Sequence, residues 1–129
     1  MNLECSHIML TVSDIKSARN FYIDQLEMPI VEEYPSMFAF RAGNVRFTVV
    51  GGGTKQSADS EFPDPPATIM FRTEDIDATV ASLKSRGVEF LGDIEEAPGF
   101  MRHIALRDPD NYYLYIAQYV RDPLVAEQT

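Results

Sequence analysis

A short segment occurs twice in this chain: Val12-Ser13-Asp14-Ile15 returns as Thr73-Glu74-Asp75-Ile76, 61 residues later (12 to 73). Each copy ends an apolar, strand-like run and opens a helical pattern. Repetition at that period within 129 residues leaves room for two copies of one supersecondary unit. In the first copy, residues 6–12 read as a strand. Asp14 or Ser13 then caps a helix carrying Ala18, Phe21, Tyr22, Gln25 and Leu26 at three- and four-residue spacing. Pro29 stops that pattern. Three β-like segments follow at 29–33, 37–41 and 45–50, with Ala42-Gly43-Asn44 as a tight turn between the last two. The second copy repeats the order: a strand at 67–73, then a helix capped by Asp75 and bearing Ile76, Val80, Leu83 and Lys84. Gly87 stops it, and strands at 88–91, 101–106 and 112–118 complete the copy.

The expected fold class is therefore α+β, with two βαβββ modules at 6–50 and 67–119 forming a cupped mixed sheet. Residues 51–66 read as a linker, flexible at Gly51-Gly52-Gly53 and restricted by Pro63, Pro65 and Pro66. The glycine triplet lacks the lysine-serine/threonine ending and following helix of a phosphate loop. Residues 120–129 read as a tail, frayed or held by a partner.

Composition narrows the function classes. At 45% hydrophobic content the chain has enough apolar material for one compact domain, and a single cysteine, Cys5, allows no intrachain bridge. Eleven basic against twenty acidic side chains give a formal net charge of −9. No basic cluster offsets this, so nucleic acid is not an expected partner. No basic stretch followed by a long apolar run opens the sequence, so the expectation is no signal peptide, no membrane span and a cytoplasmic location.

Strand alternation sorts the side chains by face. Ile8, Leu10 and Val12 form the helix-facing set of the first strand, joined by Ile69 and Phe71, Ile104 and Leu106, and Leu114 and Ile116. The other face receives His7, Met9, Thr11, Thr68, Met70, Arg72, His103, Ala105, Tyr113, Tyr115 and Ala117. Histidines, an arginine and tyrosines among methionines suit an amphipathic ligand pocket. They equally suit the inner face of a sheet closed by a second subunit.

The repeat, the opening from His7-Ile8 through Asp14-Ile15, the Phe21-Tyr22 helix and Asp108-Pro109-Asp110 before the last strand together resemble the vicinal-oxygen-chelate superfamily, also called the glyoxalase/bleomycin-resistance/extradiol-dioxygenase superfamily. The resemblance covers about residues 6–119. It implies, for metal-dependent members, a divalent ion held by a histidine from the first strand and a glutamate from the last strand of each module. Those positions fall here on His7, Thr68, Phe47 and Tyr115, so one of four donors is retained and neither a metal nor another cofactor is expected. An improvised site from His7, His103 and Tyr115 is the alternative.

Two functions follow. The first is a small-molecule binding protein of the bleomycin-resistance-like type, its ligand an unidentified organic molecule. Phe47, Tyr113 and Tyr115 offer apolar faces, Met9 and Met70 adapt to irregular shapes, and His7, Thr68, Arg72 and His103 supply polar contacts. The acidic surface favours a cationic ligand. The rival is a lyase, isomerase or dioxygenase-like enzyme. In it His7 or His103 acts as general base, and Tyr115 or Arg72 stabilises developing negative charge. Asp108 and Asp110 read as turn residues rather than an acid/base pair, with Asn111 where the family pattern has glycine. A homodimer is expected, because Met9, Phe47, Met70, Tyr113 and Tyr115 need cover from water; closure within one chain is the other solution.

Overall fold

The structure is a computed structural model that describes residues 3–55, 67–121 and 123. Pro63, Pro65 and Pro66 of the expected linker, and most of the expected tail, lie outside the described residues. The chain divides into two compact units: Met1–Ala58 with Asp108–Asn111, and Asp59–Arg107 with Tyr112–Thr129. Each contains a four-stranded mixed sheet and helix in βαβββ order, as the repeat predicts.

In unit 1 the strands are β1 (Ile8–Thr11), β2 (Ile30–Tyr34), β3 (Met37–Ala42) and β4 (Val45–Val50), in the order β1-β4-β3-β2. Strand β1 runs parallel to β4, and the other pairs are antiparallel. Gly43, at φ +61°, takes the left-handed position in the β3–β4 turn that a side chain would disfavour. The Asp14 carboxylate accepts from the backbone N–H groups of Lys16 (3.0 Å) and Ser17 (3.4 Å), capping helix α1 (Ile15–Arg19).

The helix does not stay regular. From Asn20 to Gln25 it widens into a π-helical turn, with the Leu26 N–H donating to the Phe21 carbonyl at 2.9 Å. The widened turn coincides with burial of two consecutive aromatics, Phe21 and Tyr22, which a strict 3.6-residue period would splay apart. Tyr22 stacks on Phe40 (4.9 Å between centroids) and Phe40 on Phe47 (5.1 Å), so a continuous aromatic pile joins helix to sheet.

The Asp108-Pro109-Asp110 turn packs within this unit. Asp108 and Asp110 are 3% and 1% exposed, and such burial requires donors. The Tyr22 hydroxyl donates to Asp108 Oδ2 at 2.6 Å, and the Asp110 N–H to Asp108 Oδ1 at 2.9 Å. The Ser13 N–H donates to Asp110 Oδ2 at 2.8 Å. Asn111 adopts φ +68°, the left-handed geometry asparagine tolerates. In the glycine triplet, Gly53 lies so close to the first strand that a Cβ would fall 2.7 Å from Thr11 Cγ2 and 3.0 Å from its carbonyl carbon. Close packing, rather than phosphate binding, explains that glycine.

Unit 2 contains β5 (Ile69–Arg72), α2 (Ile76–Ser85), β6 (Glu95–Ala97), β7 (Met101–Arg107) and β8 (Tyr113–Tyr119), with sheet order β5-β8-β7-β6. Asp75 caps α2 through the Ala78 N–H, and Ile76, Val80 and Leu83 form its buried stripe. Gly87, at φ +86°, ends it. One expected strand is displaced. Residues 88–91 are not a strand: the Val88 N–H closes back onto the Leu83 carbonyl, and Leu91 makes one backbone bond to Ala105. Pairing with β7 begins only at Glu95.

Replacing Tyr22 by Phe keeps the stacked ring but removes the donor to buried Asp108. The expected loss is about 1–3 kcal/mol of unfolding free energy, read as a lower urea midpoint with unchanged slope. An unchanged midpoint would contradict a structural role for the bond.

Candidate functional site

Register assigns every strand residue to a face, because direct cross-strand partners share one. In unit 1 the helix-side rows are Ile8, Phe47, Phe40 and Ile30, then Leu10, Val49, Phe38 and Glu33. The opposite, open face carries Met9, Thr48, Ala39 and Glu32 in one row and Thr11, Val50, Met37 and Tyr34 in the next; Arg46 and Arg41 flank them.

Phe47 therefore does not line the open face. It is 3% exposed and stacked on Phe40 in the helix-side core, which corrects its expected place among ligand-binding residues. The reason is a one-residue displacement: Met9 pairs with Thr48 as Met70 pairs with Tyr115, so the first-module counterpart of Tyr115 is Thr48. Met9 does lie on the open face, 56% exposed. His7 stands exposed just before β1, its Nδ1 3.0 Å from the Ser6 hydroxyl.

The centre of this face is occupied by a polar group that the sequence reading omitted. Arg46 forms an ion pair with Glu32, and its Nε donates to Thr48 Oγ1 at 3.4 Å. The Tyr34 hydroxyl donates to Glu32 at 3.2 Å. Small Ala39, fully buried, separates Thr48 from Glu32 in the row and leaves the arginine room to reach across. Arg46 and Tyr34 hold the Glu32 carboxyl below its ordinary pKa, chiefly through the Arg46 hydrogen bond.

The open face of unit 2 has a different chemistry. Its rows are Tyr119, Met101 and Ala97; Arg72, Ala117, His103 and Glu95; Met70, Tyr115 and Ala105; and Tyr113 with Arg107. Ile69, Phe71, Leu114, Ile116, Ile104 and Leu106 occupy the helix side, as alternation predicts. The His103 and Tyr115 rings are stacked, 5.0 Å apart and within 11° of parallel. Tyr113 leans against Tyr115 at 5.4 Å, and the Arg107 guanidinium lies 5.2 Å over the Tyr113 ring. The result is a stack running Arg107, Tyr113, Tyr115, His103, with half-buried members.

Of the expected site residues, Met70, Arg72, His103, Tyr113 and Tyr115 are thus brought onto one face. Thr68 is half-buried, immediately before β5. Arg107 was missed, although extending the alternation His103, Ala105 by one step reaches it; the expected strand stopped at Leu106.

The donor set does not suit the divalent ion that the resemblance implies. With the register correction the four positions are His7, Thr68, Thr48 and Tyr115: one imidazole, two neutral hydroxyls and a phenol, with no carboxylate. Among the described residues no group of three or more His, Cys, Asp or Glu side chains is placed to hold a metal. A shallow cleft of about 350 Å³ elsewhere in unit 1 is lined by Ile15, Lys16, Arg19, Glu33, Tyr34, Pro35 and Phe38.

The sequence matches the Glyoxalase/Bleomycin resistance protein/Dioxygenase superfamily over residues 5–116. The chain belongs to this superfamily. It is a divergent member, retaining neither of the two implied glutamates. A glyoxalase/bleomycin resistance protein/dioxygenase from Alicyclobacillus acidocaldarius shares the fold at TM-score 0.75 and 20% identity, over 92% of this chain and 93% of that one. A virulence protein from Salmonella typhimurium gives 0.69 and 26%, over 93% and 99%. A genomically encoded fosfomycin resistance protein from Listeria monocytogenes gives 0.74 and 20%, over 92% and 94%. No curated protein sequence matches the chain significantly. Superfamily membership and the open-face chemistry give small-molecule binding or enzyme-like function at the level of the superfamily.

Because Glu32 has a lower pKa folded than unfolded, its pairing contributes stability that is present above the ordinary carboxylate range and lost as pH falls through the folded value. Glu32→Gln should therefore lower the melting temperature near pH 7 and narrow the difference between pH 7 and about pH 3. Melting curves at the two pH values check this; an unaltered difference would contradict it.

Proposed function

We propose that this superfamily member is a metal-independent binding protein for a planar organic molecule, of the bleomycin-resistance-like type. The observation that carries the reading is the Arg107–Tyr113–Tyr115–His103 stack on the open face of unit 2. Aromatic planes within reach of solvent offer stacking surface to a flat ligand, while Met70, beside Tyr115 in the register, adapts to its outline. The fold also occurs in a Listeria protein named for fosfomycin resistance.

The enzyme reading, with His7 or His103 as general base and Tyr115 or Arg72 stabilising developing negative charge, has less support from the geometry. The exposed His7 belongs to unit 1, and the stack to unit 2. Imidazole N–H and lone-pair directions lie in the ring plane. Two rings 11° from parallel meet face to face, so Tyr115 packs on the imidazole rather than orienting it through a ring nitrogen. The Proposed assembly is a homodimer, which would cover apolar side chains such as Met9 and Met70, and the proposed location is cytoplasmic. Neither nucleic acid nor membrane is a proposed partner; no helix among the described residues is long and apolar enough to cross a membrane.

The chain has no tryptophan and six tyrosines, so tyrosine emission can report a ligand on the stack. Neutral 2-naphthylmethanol should quench it saturably, and Tyr115→Ala should weaken binding about 3- to 10-fold. Equal affinity in the wild type, Tyr115→Ala and His103→Ala would place the site elsewhere. Sedimentation at low micromolar concentration should give twice the 14.6 kDa chain mass; a single species at the chain mass would reject the dimer.

A further inference from the structure

We propose that the open face of unit 1 carries an anion site of its own, in which Arg41 and Arg46 together hold the carboxylate of a small organic anion. This site involves unit 1 alone and does not depend on ligand binding at the unit 2 stack. The register of β3 and β4 sets Arg41 directly opposite Arg46. Direct cross-strand partners share a face with their Cβ atoms about 5 Å apart, and like charges so placed repel. A sheet gains nothing from such a pair by itself.

The matching position in unit 2 is built differently. Ala39 and Thr48 correspond to Ala105 and Tyr115, so the next pair on the same face, Arg41 and Arg46, corresponds to Arg107 and Tyr113. In unit 2 the arginine lies over an aromatic ring, which attracts it. In unit 1 the arginine meets a second cation.

The two arginines of unit 1 are not neutralised equally. Arg46 is half-buried and held in place, with Nε on Thr48 and Nη2 on Glu32. Those bonds use two of its five N–H donors and leave both on Nη1. Arg41 is exposed, and among the described residues its side chain has neither an ion-pair nor a hydrogen-bonding partner. The Glu32 carboxylate is engaged at both oxygens, by Arg46 and by the Tyr34 hydroxyl. Two guanidinium groups against one carboxylate leave one positive charge.

A ligand carboxylate matches that remainder. It brings one negative charge, and its two oxygens can accept from Arg41 and from Nη1 of Arg46, joining groups that otherwise repel. Arg46 is already fixed by Thr48 and Glu32, so it loses little side-chain freedom on binding. Met9, paired with Thr48 on the strand beside β4 and 56% exposed, offers an apolar surface to the organic part of the anion. The net charge of −9 does not oppose this. Salt at physiological strength screens charges beyond about 8 Å, whereas the arginines act at contact.

Sodium butyrate, 1-butanol and sodium chloride test the site, each titrated into the full chain at constant ionic strength while NMR follows the arginine Nε–H signals. Butyrate should shift the Arg46 signal saturably, with a Kd on the order of 1 mM, and butanol and chloride should not. Arg41→Gln should weaken butyrate about 5- to 10-fold, and Arg41→Glu should abolish its binding. Without butyrate, Arg41→Gln should melt no lower than the wild type, because it ends a like-charge contact. Circular dichroism establishes that each variant is folded. Equal shifts by chloride, or butyrate binding unaltered in Arg41→Gln, would mean an adventitious ion only and overturn the site. A lower melting temperature in folded Arg41→Gln would overturn the repulsion on which the site rests.

Discussion

A carboxylate is costly to remove from water unless donors replace its hydration, and Asp108 obtains them from the Tyr22 hydroxyl and the Asp110 N–H. Much of unit 1 follows from that requirement. With its hydroxyl engaged, Tyr22 is held edge-on to Phe21 and flat against Phe40, and Phe40 in turn packs on Phe47. The aromatic pile fixes which side of the sheet meets the helix. By alternation, it also fixes which side chains are left on the opposite face.

The partition of faces was largely legible because strand periodicity is strict. Ile8 and Leu10, Ile69 and Phe71, Ile104 and Leu106, and Leu114 and Ile116 all fall where alternation puts them. Phe47 is the exception: the residue in register with Met9 is Thr48, one position later, and a shift of one residue exchanges the faces. The polar Arg46 and Thr48 flanking it carried the correct signal. The run after Gly87 misled for a different reason: Val88 is apolar because it covers the end of α2, not because it pairs in a sheet. Strand β6, Glu95-Glu96-Ala97, has no apolar pattern to read, and the π-helical turn has no local composition that marks it.

The repeated βαβββ order leaves the two units with matching positions and different chemistry. Thr48 and Ala39 in the first correspond to Tyr115 and Ala105 in the second. Around the first pair stands an arginine–glutamate ion pair; around the second stand aromatic rings, with an arginine over one of them. The candidate site was legible as a set of residue types, but its organisation into a stack depends on diagonal contacts between β7 and β8 that spacing within one strand does not encode.

Strand β2 bounds its sheet, and its pairing with β3 slips between Ile30 and Glu32, leaving Val31 as an extra residue. Strand β6, which bounds the other sheet, has three residues, two of them glutamates, with Pro98 directly after it. A regular ladder cannot continue smoothly across a bulged strand, and a short acidic one gives an incoming strand little to hold and much charge to oppose. These two borders thus discourage strand addition at β2 and β6.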